Sequence, residues 1–257
     1  MTSKLLILVV LLLVSAPIFA QSIHGESVQD ESVDTAWVRR YNGPGNGADW
    51  AFAMTMDSSG NVYVTGVSYG TWTDADYATV KYYPNGDTAW ARRYNGPDSL
   101  DDNDPTIAVD MSGNVYVTGL SHRSETNFDY VTIKYHSNGD IDWLIRYNGP
   151  VDGGDVPYGI AVDSDSNVYV TGGSNGGGTG YDYTTIKYVQ FLCGDVNKDG
   201  VVNSADIIYL INYLFIGGPS PIPILHVGDV NVDEAVNSAD VSYLINYLFI
   251  GGPAPCQ

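Results

Sequence analysis

Positive charge is what this chain has least of: 11 Lys and Arg stand against 30 Asp and Glu in 257 residues, a formal net charge of −19. A surface this acidic repels nucleic acid and anionic lipid, and it attracts divalent cations. Histidine is scarce as well. His24, His122, His136 and His226 recur in no repeat and fall at no metal-ligand spacing. No serine sits in a nucleophile elbow, and no Gly-rich phosphate loop opens a helix. The pattern therefore argues against an enzyme, and no catalytic residue is singled out. Cysteine occurs only twice, at Cys193 and Cys256. The apolar run from Leu5 to Val14 is too short for a membrane span, and no other segment qualifies.

That short run follows Lys4 and precedes Ile18-Phe19-Ala20, so residues 1–20 read as a secretory signal peptide. The expected location is secreted, extracellular or at the cell surface. Residues 21–35 are polar and acidic with few apolar anchors, which reads as a disordered linker.

What is present is repetition. GDVNKDGVVNSADIIYLINYLFIGGP from Gly194 returns 34 residues later as GDVNVDEAVNSADVSYLINYLFIGGP from Gly228. Each copy sets oxygen-bearing side chains at positions 1, 3, 5, 9 and 12 of a twelve-residue loop before an apolar helix. The first copy offers Asp195, Asn197, Asp199, the Val201 carbonyl, Asn203 through water, and Asp206. The second offers Asp229, Asn231, Asp233, the Ala235 carbonyl, Asn237 and Asp240. Such spacing wraps a chain around a hard cation, and Ca2+ takes about six to eight oxygens in this way. Both loops close with Asp where an EF-hand uses Glu, so the shorter arm draws loop and helix closer to the ion. Position 6 differs: Gly200 suits the tight turn, whereas Glu234 makes the second site the weaker one. The plainer alternative is a pair of Asx-rich turns.

Behind the loops, Ile207, Leu210, Ile211 and Leu214 share one helical face, as do Val241, Leu244, Ile245 and Leu248. Gly-Gly-Pro ends each helix. Facing each other, the two stripes make a small core that depends on filled loops. Cys193 and Cys256 bracket this region; in an oxidising compartment they would form a disulfide worth roughly 4 kcal/mol, the alternative being two free thiols.

Two loop-helix units with Asp at position 12 and no helix before the loop resemble a type I dockerin, over residues 193–257. The resemblance implies calcium dependence and a cohesin-type protein module as partner. It also implies recognition through positions 10 and 11, which are Ser204-Ala205 and Ser238-Ala239, and two equivalent docking orientations. Positions 17 and 18, often basic in that family, are Ile211-Asn212 and Ile245-Asn246 here. Dockerins commonly ride on glycoside hydrolases, which implies an association with extracellular polysaccharide breakdown.

Residues 36–190 carry a second repeat, of 53 residues. Trp37, Trp90 and Trp143 each head a W-x-x-R-Y-N-G-P-like segment, and NVYVTG starts at Asn61, Asn114 and Asn167. Each unit alternates like four short antiparallel strands, the pattern of a propeller blade. NVYVTG resembles the SBBP family, bacterial repeats named for a β-propeller. The expected fold is therefore mainly β: three four-stranded antiparallel β-propeller-like blades, then a small α-helical calcium-loop domain at 193–257. Residues 37–41 are expected to complete the third blade by pairing with residues 183–188, giving a closed monomer. A homodimer of six blades, or open edges covered by the calcium module, are the other solutions.

Asp49, Asp102 and Asp155 recur at one blade position, as do Asp76, Asp129 and Asp182. They would cap turns or, on a shared rim, meet a cation or sugar hydroxyl. The repeat tryptophans are expected in the core, with Trp50 and Trp72 exposed. The leading expectation is a non-catalytic calcium-binding interaction or scaffold protein docked to a cohesin-type partner. The alternatives are a carbohydrate-binding subunit of a polysaccharide-degrading assembly, and a calcium module that only caps the β domain.

Overall fold

The computed structural model describes residues 33–71, 74–222 and 225–256. The expected signal peptide, most of the acidic linker and Trp72 lie outside these residues. The first sheet comprises β1 (Asp49–Met56), β2 (Val62–Tyr69), β3 (Ala75–Tyr82) and β4 (Thr88–Tyr94). The second comprises β5 (Asp102–Val109), β6 (Val115–Arg123), β7 (Asn127–Tyr135) and β8 (Ile141–Tyr147). The third has β9 (Asp155–Val162), β10 (Val168–Asn175) and β11 (Tyr181–Tyr188). Strand order follows the chain and every pair is antiparallel. Two helices follow, α1 (Ser204–Ile211) and α2 (Ser238–Ile250).

Period-2 alternation in NVYVTG gives each blade two unlike faces. Tyr and Thr point one way, Val the other. Tyr63, Tyr77 and Trp90 of the first blade pack on Ile107, Val115, Val117, Val131 and Ile133 of the second. Tyr116 and Tyr130 pack on Val168 and Val170 of the third. Buried hydroxyls need partners, and those of Tyr77, Tyr130 and the paired threonines have them. Tyr77 donates to the Leu120 carbonyl at 2.6 Å and Tyr130 to the Gly173 carbonyl at 3.2 Å. Threonine hydroxyls pair across neighbouring strands, Thr65 with Thr79 and Thr118 with Thr132, at 3.0 Å each.

Acidic side chains hold the turns. Asp57 accepts from the Ser59 and Asn61 amides and the Tyr63 hydroxyl at 2.9–3.0 Å. Asp110 and Asp163 repeat this with Tyr116 and Tyr169. Asp49, Asp102 and Asp155 accept the amides of Gly43, Gly96 and Gly149. Arg93 pairs with Asp76 at 2.5 Å and Arg146 with Asp129 at 3.0 Å. The third blade has no such arginine, and Asp182 accepts instead from the Thr179 hydroxyl at 2.6 Å. These recurring acids therefore cap and brace turns.

The third blade departs from expectation: among the described residues it has three strands, not four. Residues 33–48 form no strand, so the strand expected at 37–41 does not pair with residues 183–188. Arg39 supplies the reason. It pairs with Asp87 at 3.6 Å, just as Arg92 of β4 pairs with Asp140 of the next blade at 3.5 Å. The segment from residue 39 thus occupies against the first blade the place that β4 occupies against the second. It already has the right flank, but β11, the edge it needs as a ladder partner, pairs among the described residues with β10 alone.

Burial pushes the Asp102 carboxyl up to about 6, against the Gly96 amide and the Ser121 hydroxyl, which draw it down. A raised folded-state value means that this group's contribution to stability is complete below 3.8 and is lost as pH rises through about 6. Asp102→Asn, which mimics the neutral acid, is expected to raise stability most at neutral pH. Urea unfolding should show its advantage over the parent chain shrinking as pH falls towards 4; a constant difference would refute this.

Candidate metal centre

Both loops are organised by their own carboxylates. Asp195 accepts the Asp199 amide at 3.0 Å and the Gly200 amide at 2.8 Å. Asp206 accepts the Val196 and Asn203 amides at 2.9 and 2.8 Å, with Asn197 at 3.3 Å. The second loop repeats this. Asp229 accepts the Asp233 and Glu234 amides at 3.0 and 2.9 Å, and Asp240 accepts those of Val230 and Asn237 at 2.8 Å each. Asn203 and Asn237 cap α1 and α2, each taking an amide at 2.7 Å and giving its side-chain N–H to the carbonyl of Val201 or Ala235 at 3.2 Å. Asp206 and Asp240 complete capping boxes, so position 12 serves loop and helix together.

Asp206 and Asp240 are fully buried, and burial raises both carboxyls; Asp195 and Asp229, of like charge, push the same way against the backbone amides. In the second loop the carboxylate oxygens of Asp229, Asp233 and Asp240 lie within 4.8 Å of one another. An all-oxygen set with crowded negative charge fits a hard divalent cation, whose positive charge relieves the repulsion. Asp229, Asp233 and Asp240 would hold it together with the Ala235 carbonyl and Asn231. Among the described residues this second trio is the acidic cluster drawn tight enough for one ion. The twelve sequence-chosen oxygen donors thus fall in two equivalent loops, of which the second has the closer carboxylates.

Backbone strain runs the other way. Position 6 does take a left-handed conformation, with φ 89° at Gly200 and φ 70° at Glu234. Position 4 is left-handed too, at Lys198 (φ 60°) and Val232 (φ 61°). A β-branched valine there is a marked outlier, and sequence reasoning missed it.

The helical stripe needs correction. Ile207, Leu210, Val241 and Leu244 are buried, but Ile211 and Ile245 are exposed. Their places in the core go to Val196, Val230 and Val227, with Val202 and Val236 packed against them. Valine at loop positions 2 and 8 of both copies was the available signal. Ser204, Ser238 and Ala239 are exposed and Ala205 half-buried, so the four residues expected to meet a partner are mostly accessible. Cys193 and Cys256 are bonded, with Cα atoms 6.1 Å apart.

Glu234→Gly releases a left-handed non-glycine residue, a gain of about 1 kcal/mol or about fivefold in affinity of the second site. Calcium calorimetry on the parent and variant chains checks it; unchanged affinity would show that Glu234 carries no penalty.

Comparison with known proteins agrees with this geometry. The model of the dockerin type I domain matches residues 193–249. The beta-propeller repeat matches three times, at 36–71, 89–124 and 145–178. No curated protein matches the chain. Both matched types are non-catalytic modules. Residues 193–249 are a dockerin type I domain, carried behind three β-propeller repeats.

Proposed function

We propose that this chain is a secreted, non-catalytic calcium-binding interaction protein. Its dockerin domain takes up Ca2+ at both loops and docks a cohesin-type module through Ser204 and Ala205, or equivalently Ser238 and Ala239. The observation that carries this reading is the twinned loop, with Asp206 and Asp240 buried among backbone amides beside a second carboxylate. Behind each loop lies the same exposed apolar trio: Ile211, Phe215 and Ile216 after the first, Ile245, Phe249 and Ile250 after the second. Exposed apolar surface of this kind marks an interaction site, and its duplication supports two docking orientations. The apolar Ile-Asn pairs in place of basic residues suit a partner with an apolar face. The disulfide fits an oxidising extracellular compartment. Among the described residues no helix is long and apolar enough to cross a membrane.

A second reading has its own support. Lys198 of the first loop pairs with Asp165 of the third blade at 3.0 Å, so the dockerin domain also touches the blade that lacks a fourth strand. On that reading the domain caps the β domain. For the carbohydrate alternative, Trp50 is exposed as expected, but a bulge between Ala51 and Ala53 sets it on the face opposite Met54 and Met56, so it stands without a second exposed aromatic beside it on that face of β1.

The deciding experiment uses the full chain, a purified cohesin module and a chelator. Calcium removal is expected to abolish capture and to remove the helical circular-dichroism signal while leaving the β signal. Larger side chains at Ser204, Ala205, Ser238 and Ala239 together should abolish capture with calcium uptake intact. Helical signal unchanged by chelator would sink the calcium reading. Calcium uptake without capture would sink the docking reading and leave the cap.

A further inference from the structure

The β domain ends in two unlike open faces. Within the chain, each blade's Tyr/Thr face is covered by the Val face of the next. In the first blade Tyr63, Thr65, Tyr77 and Thr79 are all buried, and in the second so are Tyr116, Thr118, Tyr130 and Thr132. The third blade repeats the set as Tyr169, Thr171, Tyr183 and Thr185, with Thr171 and Thr185 paired at 2.9 Å like their counterparts. Among the described residues this face is left open: Tyr169 is half-buried, Thr171 and Thr185 are exposed, and Tyr183 is 101% exposed where Tyr77 and Tyr130 are 1% and 0%.

At the other end, β1 offers Met54 and Met56, 67% and 61% exposed. Their counterparts are occupied: Ile107 and Val109 pack in the first junction, Ile160 and Val162 in the second. Gly119 and Gly172 tell the same story. A Cβ on either would strike the hydroxyl of Tyr77 or Tyr130 from the preceding blade, whereas at Gly66 no tyrosine hydroxyl is among the nearest neighbours.

We infer that these faces are the two halves of one further blade junction, and that the occupant is a second copy of this chain, joined head to tail. The internal junctions show the fit, since the same face types meet twice already. Tyr183 of one copy would donate to the Val67 carbonyl of the other, the place held by Leu120 and Gly173 within the chain. The segment from residue 39 of the second copy, set against its own first blade as β4 is against the second, then lies along β11 as the missing fourth strand. Such a heterologous contact either closes a ring or runs on as a filament. Propellers close with about four to eight blades, so three blades are too few and two copies close at six. The inference concerns the blades alone and does not depend on calcium or on a cohesin partner.

Sedimentation of the full chain with calcium present tests this. A dimer is expected, and Tyr183→Glu or Met54→Glu should each give a monomer with unchanged circular dichroism. Mixing the two variants should restore a pair, because one keeps a sound Tyr face and the other a sound Met face. A concentration-dependent ladder that both substitutions abolish also supports head-to-tail joining. A monomer at every attainable concentration overturns the inference, as does an oligomer indifferent to both substitutions.

Discussion

A blade has two apolar faces and can cover neither by itself. That constraint organises the β domain. Each sheet gains stability by being sandwiched, and burying one Tyr, Val or Ile side chain contributes about 1.5–3 kcal/mol, so a face left open forfeits a large fraction of what a small domain has. The junctions are also polar where they must be. Tyrosine hydroxyls that cross to the next blade find a backbone carbonyl, and Thr pairs satisfy each other inside the sheet. Face recognition is therefore directional: a Tyr/Thr face fits a Val face, whereas two Tyr/Thr faces would leave tyrosine hydroxyls without a carbonyl.

The dockerin domain obeys the same rule on a smaller scale. Two short helices cannot make a core of any size, and the buried set is completed by valines from the loops. Asp206 and Asp240 are then drawn into that core because they cap the helices, and burial raises their carboxyls. Charge held there at neutral pH has to be balanced. Backbone amides do part of this, and a divalent cation in the loop would do the rest. On the proposed reading, folding of the helices and uptake of an ion would be one equilibrium, and partner docking on this surface would answer to calcium.

Much of this was legible in the sequence because it repeats. The blade strands, the Gly-Gly-Pro ends of the helices and the tight turn at position 6 all follow from local pattern, and each recurs. The misses share a cause. Ile211 and Ile245 fit a helical stripe, but periodicity cannot say that loop valines will reach the core first. Val232 is strained by the turn around it, which no propensity for valine announces. The third blade's missing strand is the largest miss, and it is one of topology. Residues 37–41 have the sequence of an outer strand, and the segment from residue 39 even takes an outer strand's place beside the first blade, yet a strand exists only where an edge is brought to it.

Gln190 shows how the chain leaves the repeat without damage. At the same place one repeat earlier, the Ser137 carbonyl takes the Lys81 amine and the Trp90 indole, each at 3.1 Å. After the third blade Lys134 and Trp143 meet a side chain in place of such a carbonyl. The Gln190 side chain replaces it: its Oε1 accepts from Lys134 at 2.5 Å and from Trp143 at 3.4 Å, while its amide donates to the Tyr116 hydroxyl at 3.0 Å and to the Ser166 carbonyl. A short linker follows, and Lys198 then meets Asp165. The dockerin domain is consequently anchored at the turn end of the third blade, while Tyr183 on the Tyr/Thr face stays uncovered. The exposed apolar residues behind the two loops and the uncovered Tyr183 then stand on one chain at once, and the ion pair between Lys198 and Asp165 uses neither.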